Sequence, residues 1–420
     1  MADKKINKVV LAYSGGLDTS VAIKWLLEHK CNEVVCVAID LGQGAELGPI
    51  QEKALKIGAS ESHVIDARQE FVEEYCFQAL KANAKYDRAY PLATATARPL
   101  IAKILVDIAK KTKADAISHG CTAKGNDQVR FDLSIMALGP ELKIIAPARE
   151  WNMTREDCIN YAEQNGIPVP TSKKNPFSVD LNLWGRSAEC GVLEDISKEP
   201  PEEAFGITMS PEKSMDRPEY IKVEFDKGIP VKVYEFGNSL NSALNLVTQG
   251  SIALVEKINE LGGKHGIGRI DQIENRVIGI KSREIYESPA GVILNMAHDD
   301  LEYLTMTKEM KHFKNIIDQK YSELIYSGRW FNPLRYTLDA FLNESQKYVS
   351  GTIGLKLYKG SVSVVSRESA NSLYDHGLAT YDGGDTFNHA SALGFIELFG
   401  LDMKQFALKH EQQEAILTKN

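Results

Sequence analysis

Ser14-Gly15-Gly16-Leu17-Asp18-Thr19-Ser20 follows directly on the apolar run Val9-Val10-Leu11-Ala12-Tyr13, and this juxtaposition constrains the fold more than any other stretch. It reads as a buried strand, a tight glycine turn and a helix that begins at about Asp18. Two glycines permit positive φ and close backbone approach, and hydroxyls flank them. The helix start turns unpaired N–H groups and about half a positive charge toward any anion in the turn. A bare Gly-Gly would be an ordinary strand-to-helix turn; the full segment behind a buried strand points to phosphate. No lysine lies in the loop, so it cannot be threaded onto G-x-x-x-x-G-K-[ST], where lysine reaches the terminal phosphates.

With 420 residues, 43% of them hydrophobic, the chain can bury a large core, and its length fits about two or three domains. Its 49 basic and 57 acidic residues leave a formal charge of -8. Nothing global therefore attracts it to nucleic acid or to an anionic membrane, and a small-molecule substrate is favoured. Cys31, Cys36, Cys76, Cys121, Cys158 and Cys190 have no C-x-x-C spacing, which indicates neither a zinc ribbon nor a redox pair. Reduced thiols in a cytoplasmic protein are the simplest reading. The first apolar run is too short for a signal sequence or a membrane span.

Up to about residue 170, continuous apolar strands alternate with helical stretches. The pattern predicts strands over 9–13, 34–39, 63–65, 116–118 and 144–146, with helices running to Glu28, near 50–57, 68–84 and 99–111. Such alternation implies a parallel sheet covered on both faces, with ligands beyond the carboxyl ends of the strands. Three strands end in suggestive loops: the glycine turn, Asp40-Leu41-Gly42-Gln43-Gly44, and the run from His119 to Asp127. We expect them to converge on one crevice. Thr154-Arg155-Glu156-Asp157 reads as a capping box opening a helix to about Asn165, and Gly166-Ile167-Pro168-Val169-Pro170 stops it. Period-two runs around Lys227-Gly228 and Lys359-Gly360 predict hairpins, and Ser251–Leu261 and Leu301–Tyr326 read as helical. The expected architecture is α/β: a parallel-sheet nucleotide-binding domain over 1–170, an α+β domain over 171–395, and a C-terminal helix within 396–420. In that tail Met403, Phe406, Ala407 and His410 recur at helical steps, a face suited to another subunit.

The glycine turn resembles the PP-loop of ATP pyrophosphatases, which cleave between the α- and β-phosphates and transfer AMP. Further segments, in both wording and order, resemble the argininosuccinate synthase family. They are Tyr90-Pro91-Leu92 with Thr96-Ala97-Arg98-Pro99, His119-Gly120 through Lys124-Gly125-Asn126-Asp127-Gln128-Val129-Arg130-Phe131, Lys174-Asn175-Pro176-Phe177-Ser178, Gly262 through Asp271, and Lys281-Ser282-Arg283 with Tyr286 to Gly291. The resemblance implies condensation of citrulline with aspartate, using ATP and Mg2+, in a homotetramer.

Carried over position by position, the resemblance assigns ATP to Ala12, Tyr13, Ser14, Gly15, Gly16, Leu17, Asp18, Thr19 and Ser20, with Ile39. It also assigns ATP to Ser118, His119, Gly120, Cys121, Thr122, Ala123, Lys124, Gly125 and Asn126. Within that set, Ser14, Gly15, Gly16, Asp18 and Ser20 face the departing pyrophosphate, where preorganised donors act on growing charge. Aspartate falls to Thr122, Asn126 and Asp127. Citrulline falls to Tyr90, Ala95, Asn126, Arg130, Ser178, Ser187, Glu274 and Tyr286. Arg130 suits its carboxylate and Glu274 its ammonium. Ala95 stands where many relatives carry serine, so that hydroxyl is missing or moves to Thr94 or Thr96. Ile39 replaces a smaller residue, which suits a backbone contact to adenine. No residue set suggests a protein metal site, and no side chain declares itself as base for the aspartate amine. His119 and His265 look catalytic, yet histidines beside glycine turns often bond the loop itself.

Three other readings remain. A tRNA-modifying PP-loop enzyme predicts a basic face and often paired thiols; a glutamine-dependent synthetase predicts a glutaminase portion with an early cysteine, for which little room precedes residue 14. A nucleotide sensor predicts a degenerate site.

Overall fold

The computed structural model describes residues 6–44, 47–87, 89–151, 153–168 and 177–417, with side chains to 410. Lys174-Asn175-Pro176 and the Val169-Pro170 stop lie outside them. Contacts divide the chain into a unit of residues 1–371 and a unit of residues 372–420.

The first half of the larger unit runs β1 (Lys8–Ala12), α1 (Leu17–His29), β2 (Glu33–Asp40), α2 (Leu47–Ile57) and β3 (Glu61–Asp66). A helical rod follows, α3 (Arg68–Glu70), a π-turn over Phe71–Cys76 and α4 (Phe77–Lys81). Then come α5 (Ala93–Thr112), β4 (Ala116–Ser118), α6 (Asn126–Leu138), β5 (Lys143–Ile145), α7 (Pro147–Glu150) and α8 (Arg155–Gln164). The five strands form one parallel sheet in the order β3-β2-β1-β4-β5. Strand alternation sends Val9, Leu11, Val34 and Cys36 into a core with Val21, Ile23 and Leu26 of α1. Val10, Val35 and Val37 enter the other core, with Leu100 and Leu105 of α5. Both faces are covered, as the continuous apolar strands require. Because the chain winds from β1 outward through β2 to β3 and then crosses back to β4 on the other side of β1, the loops after β1 and β4 flank the switch point where such sheets bind ligands.

α5 begins six residues before the helix read from the sequence, with Pro99 inside it. Tyr90 supplies the missing start signal from outside the helix: its hydroxyl accepts the Thr94 N–H at 2.8 Å. The capping box holds, with Asp157 N donating to Thr154 Oγ1 at 3.2 Å and Thr154 N to Asp157 Oδ2 at 2.8 Å.

The second half runs β6 (Ser178–Asn182), β7 (Gly185–Glu189), β8 (Glu219–Asp226), β9 (Ile229–Phe236), β10 (Leu244–Gln249), α9 (Ser251–Lys264), β11 (Arg269–Asn275) and β12 (Lys281–Glu287). It ends with α10 (Pro289–Thr305), α11 (Lys308–Tyr326), α12 (Pro333–Ser345), β13 (Gly351–Tyr358) and β14 (Ser361–Glu368). Both expected hairpins form, β8–β9 and β13–β14, and they join in one antiparallel sheet, β10-β9-β8-β13-β14. The first turn needs positive φ at Lys227 (49°) and Gly228 (76°), which glycine supplies at the second position. The helix expected over Leu301–Tyr326 is two helices. Met306 is extended, and the Thr307 hydroxyl caps α11 by accepting the Met310 N–H. A second antiparallel sheet, β11-β12-β7-β6, carries the polar wall of the site.

The smaller unit holds α13 (His376–Ala379), α14 (His389–Phe399) and α15 (Leu401–Leu417). α15 starts after a break at Gly400, so residues 396–399 belong to the preceding helix. Phe395, Ile396, Phe399, Met403 and Phe406 are exposed. No helix among the described residues is long and apolar enough to cross a membrane.

Candidate active site

The turn after β1 is shaped by one left-handed residue, Gly15 (φ 75°); a Cβ there would also sit 3.1 Å from Ile50 of α2. Gly16 is the N-cap of α1 and brings no side chain to cover its first N–H groups. The first bond inside the helix is Ser20 N to Gly16 O at 3.1 Å. The amides of 17–19 therefore point out of the helix toward the turn. Ser14 Oγ and Thr19 Oγ1 lie 3.1 Å apart at its mouth, whereas Ser20 is buried against the Tyr13 hydroxyl. Asp18 lies on the first helical turn, open to solvent on one side. Crowding on its inner side raises its carboxyl above the usual range, and Arg155 opposes the rise.

A cavity of about 660 Å³ opens over this turn. The three loops expected to converge do so: residues 12–14 and 16–19, then Ile39, Leu41 and Gln43, then His119, Gly120, Cys121 and Asp127 line it. Ser178 and Ser187 face them from the antiparallel sheet. Gly15, Ser20 and Ser118 stand behind this lining, and Thr122, Ala123 and Lys124 are exposed on the turn into α6. The Ile39 carbonyl accepts from Gln43 Nε2 at 2.8 Å, which folds the loop after β2 onto its own strand.

Strand register explains the far wall. Ser178 pairs with Glu189, Asp180 with Ser187, Ser187 with Tyr286, and Gln272 with Glu284. Paired residues and residues two apart share a face. Ser178, Asp180, Ser187, Glu189, Glu284, Tyr286, Gln272 and Glu274 thus lie on one side. Ala188 and Ile285 on the other side pack into a small core with Phe177 and Leu193. The apolar face anchors the sheet, and the polar one is left for chemistry.

Between the two walls runs a buried network. Asp127 accepts from Arg98 Nε and from Arg130 Nη1, each at 2.9 Å, and Arg98 also reaches Asp180. Burial pushes the Asp127 carboxyl up, but the two guanidinium groups outweigh it and hold the group at about 2. Arg130 Nε donates to the Tyr326 carbonyl at 2.9 Å. Glu274 accepts from the hydroxyls of Tyr286 (2.7 Å) and Tyr326 (2.8 Å), and Asn126 Nδ2 donates to the Tyr326 oxygen at 2.8 Å. Tyr90 stacks on Tyr286 with ring centroids 3.6 Å apart. Tyr90, Asn126, Arg130, Glu274 and Tyr286 are thus gathered, but in a closed cluster beside the cavity rather than on its lining. Ala95 is buried in α5. The hydroxyls of Thr94 and Thr96 are occupied within the protein, by Tyr90 and by the carbonyls of Leu92 and Ala93.

His119 is buried, with Nε2 2.8 Å from Asp132 Oδ1 and Nδ1 accepting the Cys121 N–H; it braces its own loop. His265 is buried beside Glu219 and does not line the cavity.

A family model described as the arginosuccinate synthase N-terminal HUP domain matches residues 8–168, and one described as the arginosuccinate synthase C-terminal domain matches residues 177–406. The chain belongs to the argininosuccinate synthase family. Curated relatives named argininosuccinate synthase extend over nearly its whole length. That of Dehalococcoides mccartyi is 55% identical over 398 residues, 95% of each chain. The Picosynechococcus relative is 55% identical over 404 residues, covering 96% of this chain and 98% of its own. The Dictyoglomus turgidum relative is 52% identical over 403, with the same coverage.

Within this argininosuccinate synthase family framework the structure adds residues that sequence reasoning passed over. Arg98, in Thr96-Ala97-Arg98-Pro99, reaches both Asp127 and Asp180, which no local pattern announces. Tyr326 closes a helix with no local signal. Arg276 ties Glu189 and Glu284, each 2.6 Å from Nη2, to the Lys124 carbonyl. Burial, with the Glu189 charge adding to it, lifts Glu284 to about 8. Lys53 of α2 donates to the Gly15 carbonyl at 2.7 Å, so the turn has a lysine after all, delivered from outside the loop.

Proposed function

We propose that the chain condenses citrulline with aspartate, giving argininosuccinate, AMP and pyrophosphate through citrullyl-AMP. One observation carries this reading: a single cavity has an anion-accepting helix start on one wall and Ser178, Ser187 and the Asp127 segment on the others. A nucleotide and a urea-like acceptor can share it. The ureido oxygen of citrulline attacks the α-phosphate, the α–β bridging bond breaks, and the electron pair leaves on pyrophosphate. The amides of 17–19 and the Ser14 hydroxyl meet that charge. The amine of aspartate then displaces AMP from the activated carbon.

Arg130 takes the citrulline carboxylate and Glu274 its ammonium, the ligand replacing part of the hydroxyl bonds that now satisfy Glu274. Asn126, Thr122 and Asp127 hold aspartate at the start of α6, whose N-cap Gly125 also leaves its first amides uncapped. Among the described residues no cluster of three His, Cys, Asp or Glu could hold a metal. Mg2+ binds through one or two carboxylates plus substrate phosphates. Asp18 is the carboxylate that would meet it, and the ion would neutralise phosphate charge. We further propose a cytoplasmic homotetramer divided functionally as 1–170, 171–395 and 396–420. The free thiols and the exposed apolar side chains of α14 and α15 support that reading.

Citrulline labelled with heavy oxygen at the ureido position tests the reaction. The label is expected in AMP; label retained in argininosuccinate, or ADP and orthophosphate as coproducts, overturns it.

A further inference from the structure

The turn after β1 lacks the lysine that many phosphate loops carry, and α2 brings one to it. Ile50 and Lys53 sit one helical turn apart. Ile50 packs on Gly15, and the Lys53 ammonium donates to the Gly15 carbonyl at 2.7 Å. Among the described residues no carboxylate lies within ion-pair distance of Lys53. Its neighbours Glu52 and Lys56 pair with each other. Burial lowers the Lys53 pKa from its ordinary value, and no anion among the described residues offsets that cost.

The Gly15 carbonyl and the Gly16 N–H belong to one peptide unit. In a trans peptide they point in opposite directions, so a group that fixes the carbonyl fixes the N–H as well. No cis peptide occurs among the described residues. Gly16 itself has no side chain to perform this orientation, and the Ser14 hydroxyl meets its N–H only at 3.4 Å.

We propose that Lys53 is the positioning residue of the phosphate loop, clamping the Gly15–Gly16 peptide from behind so that its N–H faces the departing pyrophosphate. The inference rests on the AMP-forming reading above. The step concerned is cleavage of the α–β bridging bond, whose electron pair ends on pyrophosphate. Lys53 transfers no proton; it stabilises the leaving charge through the peptide it holds.

The test is citrulline-dependent pyrophosphate release from ATP by the full-length protein carrying K53M, K53R or K53C. K53C is assayed before and after aminoethylation with 2-bromoethylamine, which rebuilds a lysine-like ammonium, and the unsubstituted protein receives the same treatment. K53M is expected to lose about 30-fold in kcat, a fraction of what losing a direct oxyanion donor costs. The citrulline KM should stay within about twofold. Aminoethylation of K53C should recover most of the loss, and K53R part of it. A purely structural role predicts no recovery in a protein already folded as cysteine. K53M within threefold of the unsubstituted protein overturns the proposal, as does a defect confined to citrulline KM. If K53M folds poorly, K53C decides alone, since no gain on aminoethylation also overturns it. Failure of the AMP-forming reading is distinct: the unsubstituted protein would then release no citrulline-dependent pyrophosphate at all.

Discussion

Asn126 and Tyr326 stand 200 residues apart in sequence, yet the amide Nδ2 of one lies 2.8 Å from the phenol oxygen of the other. The same phenol donates to Glu274 at 2.8 Å. One hydroxyl therefore sets the position of two residues assigned to the substrates. Tyr326→Phe keeps the ring and removes that link. Citrulline KM is expected to rise about tenfold with kcat changed less, read by steady-state kinetics.

Asp18 and Arg130 should fail in different ways. Asp18→Ala is expected to lower kcat for pyrophosphate release by about 100-fold with little change in citrulline KM. Arg130→Ala should raise citrulline KM by about 100-fold if, as proposed, its guanidinium holds the citrulline carboxylate. Kinetics at varied citrulline distinguish the two, and equal defects would refute the division of roles.

Glu284 supplies a pH test. Its folded-state value of about 8 lies above the ordinary carboxyl value of 4.5, so the folded state binds its proton more tightly than the unfolded chain. The resulting stability is full below the unfolded value and is lost as pH rises through about 8. Glu284→Gln mimics the protonated form. Stability from pH 5 to 9, read from thermal melting, should therefore fall less steeply in the variant, by about 4 kcal/mol across the range. Parallel curves would show that Glu284 is ionised throughout.

Thr154→Ala removes an exposed cap from α8. We expect a loss of about 1 kcal/mol in denaturant unfolding.

The glycine turn, the parallel strands and both hairpins were legible in the sequence because their signals are local. Val9 to Tyr13 is apolar throughout, and Lys227-Gly228 marks a turn by itself. The start of α5 was not, since the group that caps it belongs to Tyr90 and acts across the turn. The sheet formed by β6, β7, β11 and β12 was hidden for a different reason. Ser178, Asp180, Ser187 and Glu189 put polar chemistry where period-two apolar side chains would otherwise announce a strand. Arg98 reads as an ordinary charge until the fold sets it and Arg130 on either side of Asp127.

The pairing of Asp180 with Ser187 and of Ser187 with Tyr286 has an outcome for how such a chain can change over time. A one-residue slip in the pairing of β6 with β7 would move every side chain of one strand to the opposite face. The polypeptide could still collapse, but its cavity-facing groups would be traded for Ala188 and its kind. Tolerance to length variation should therefore be lowest in the hairpin joining those two strands, well away from the glycine turn that first draws the eye.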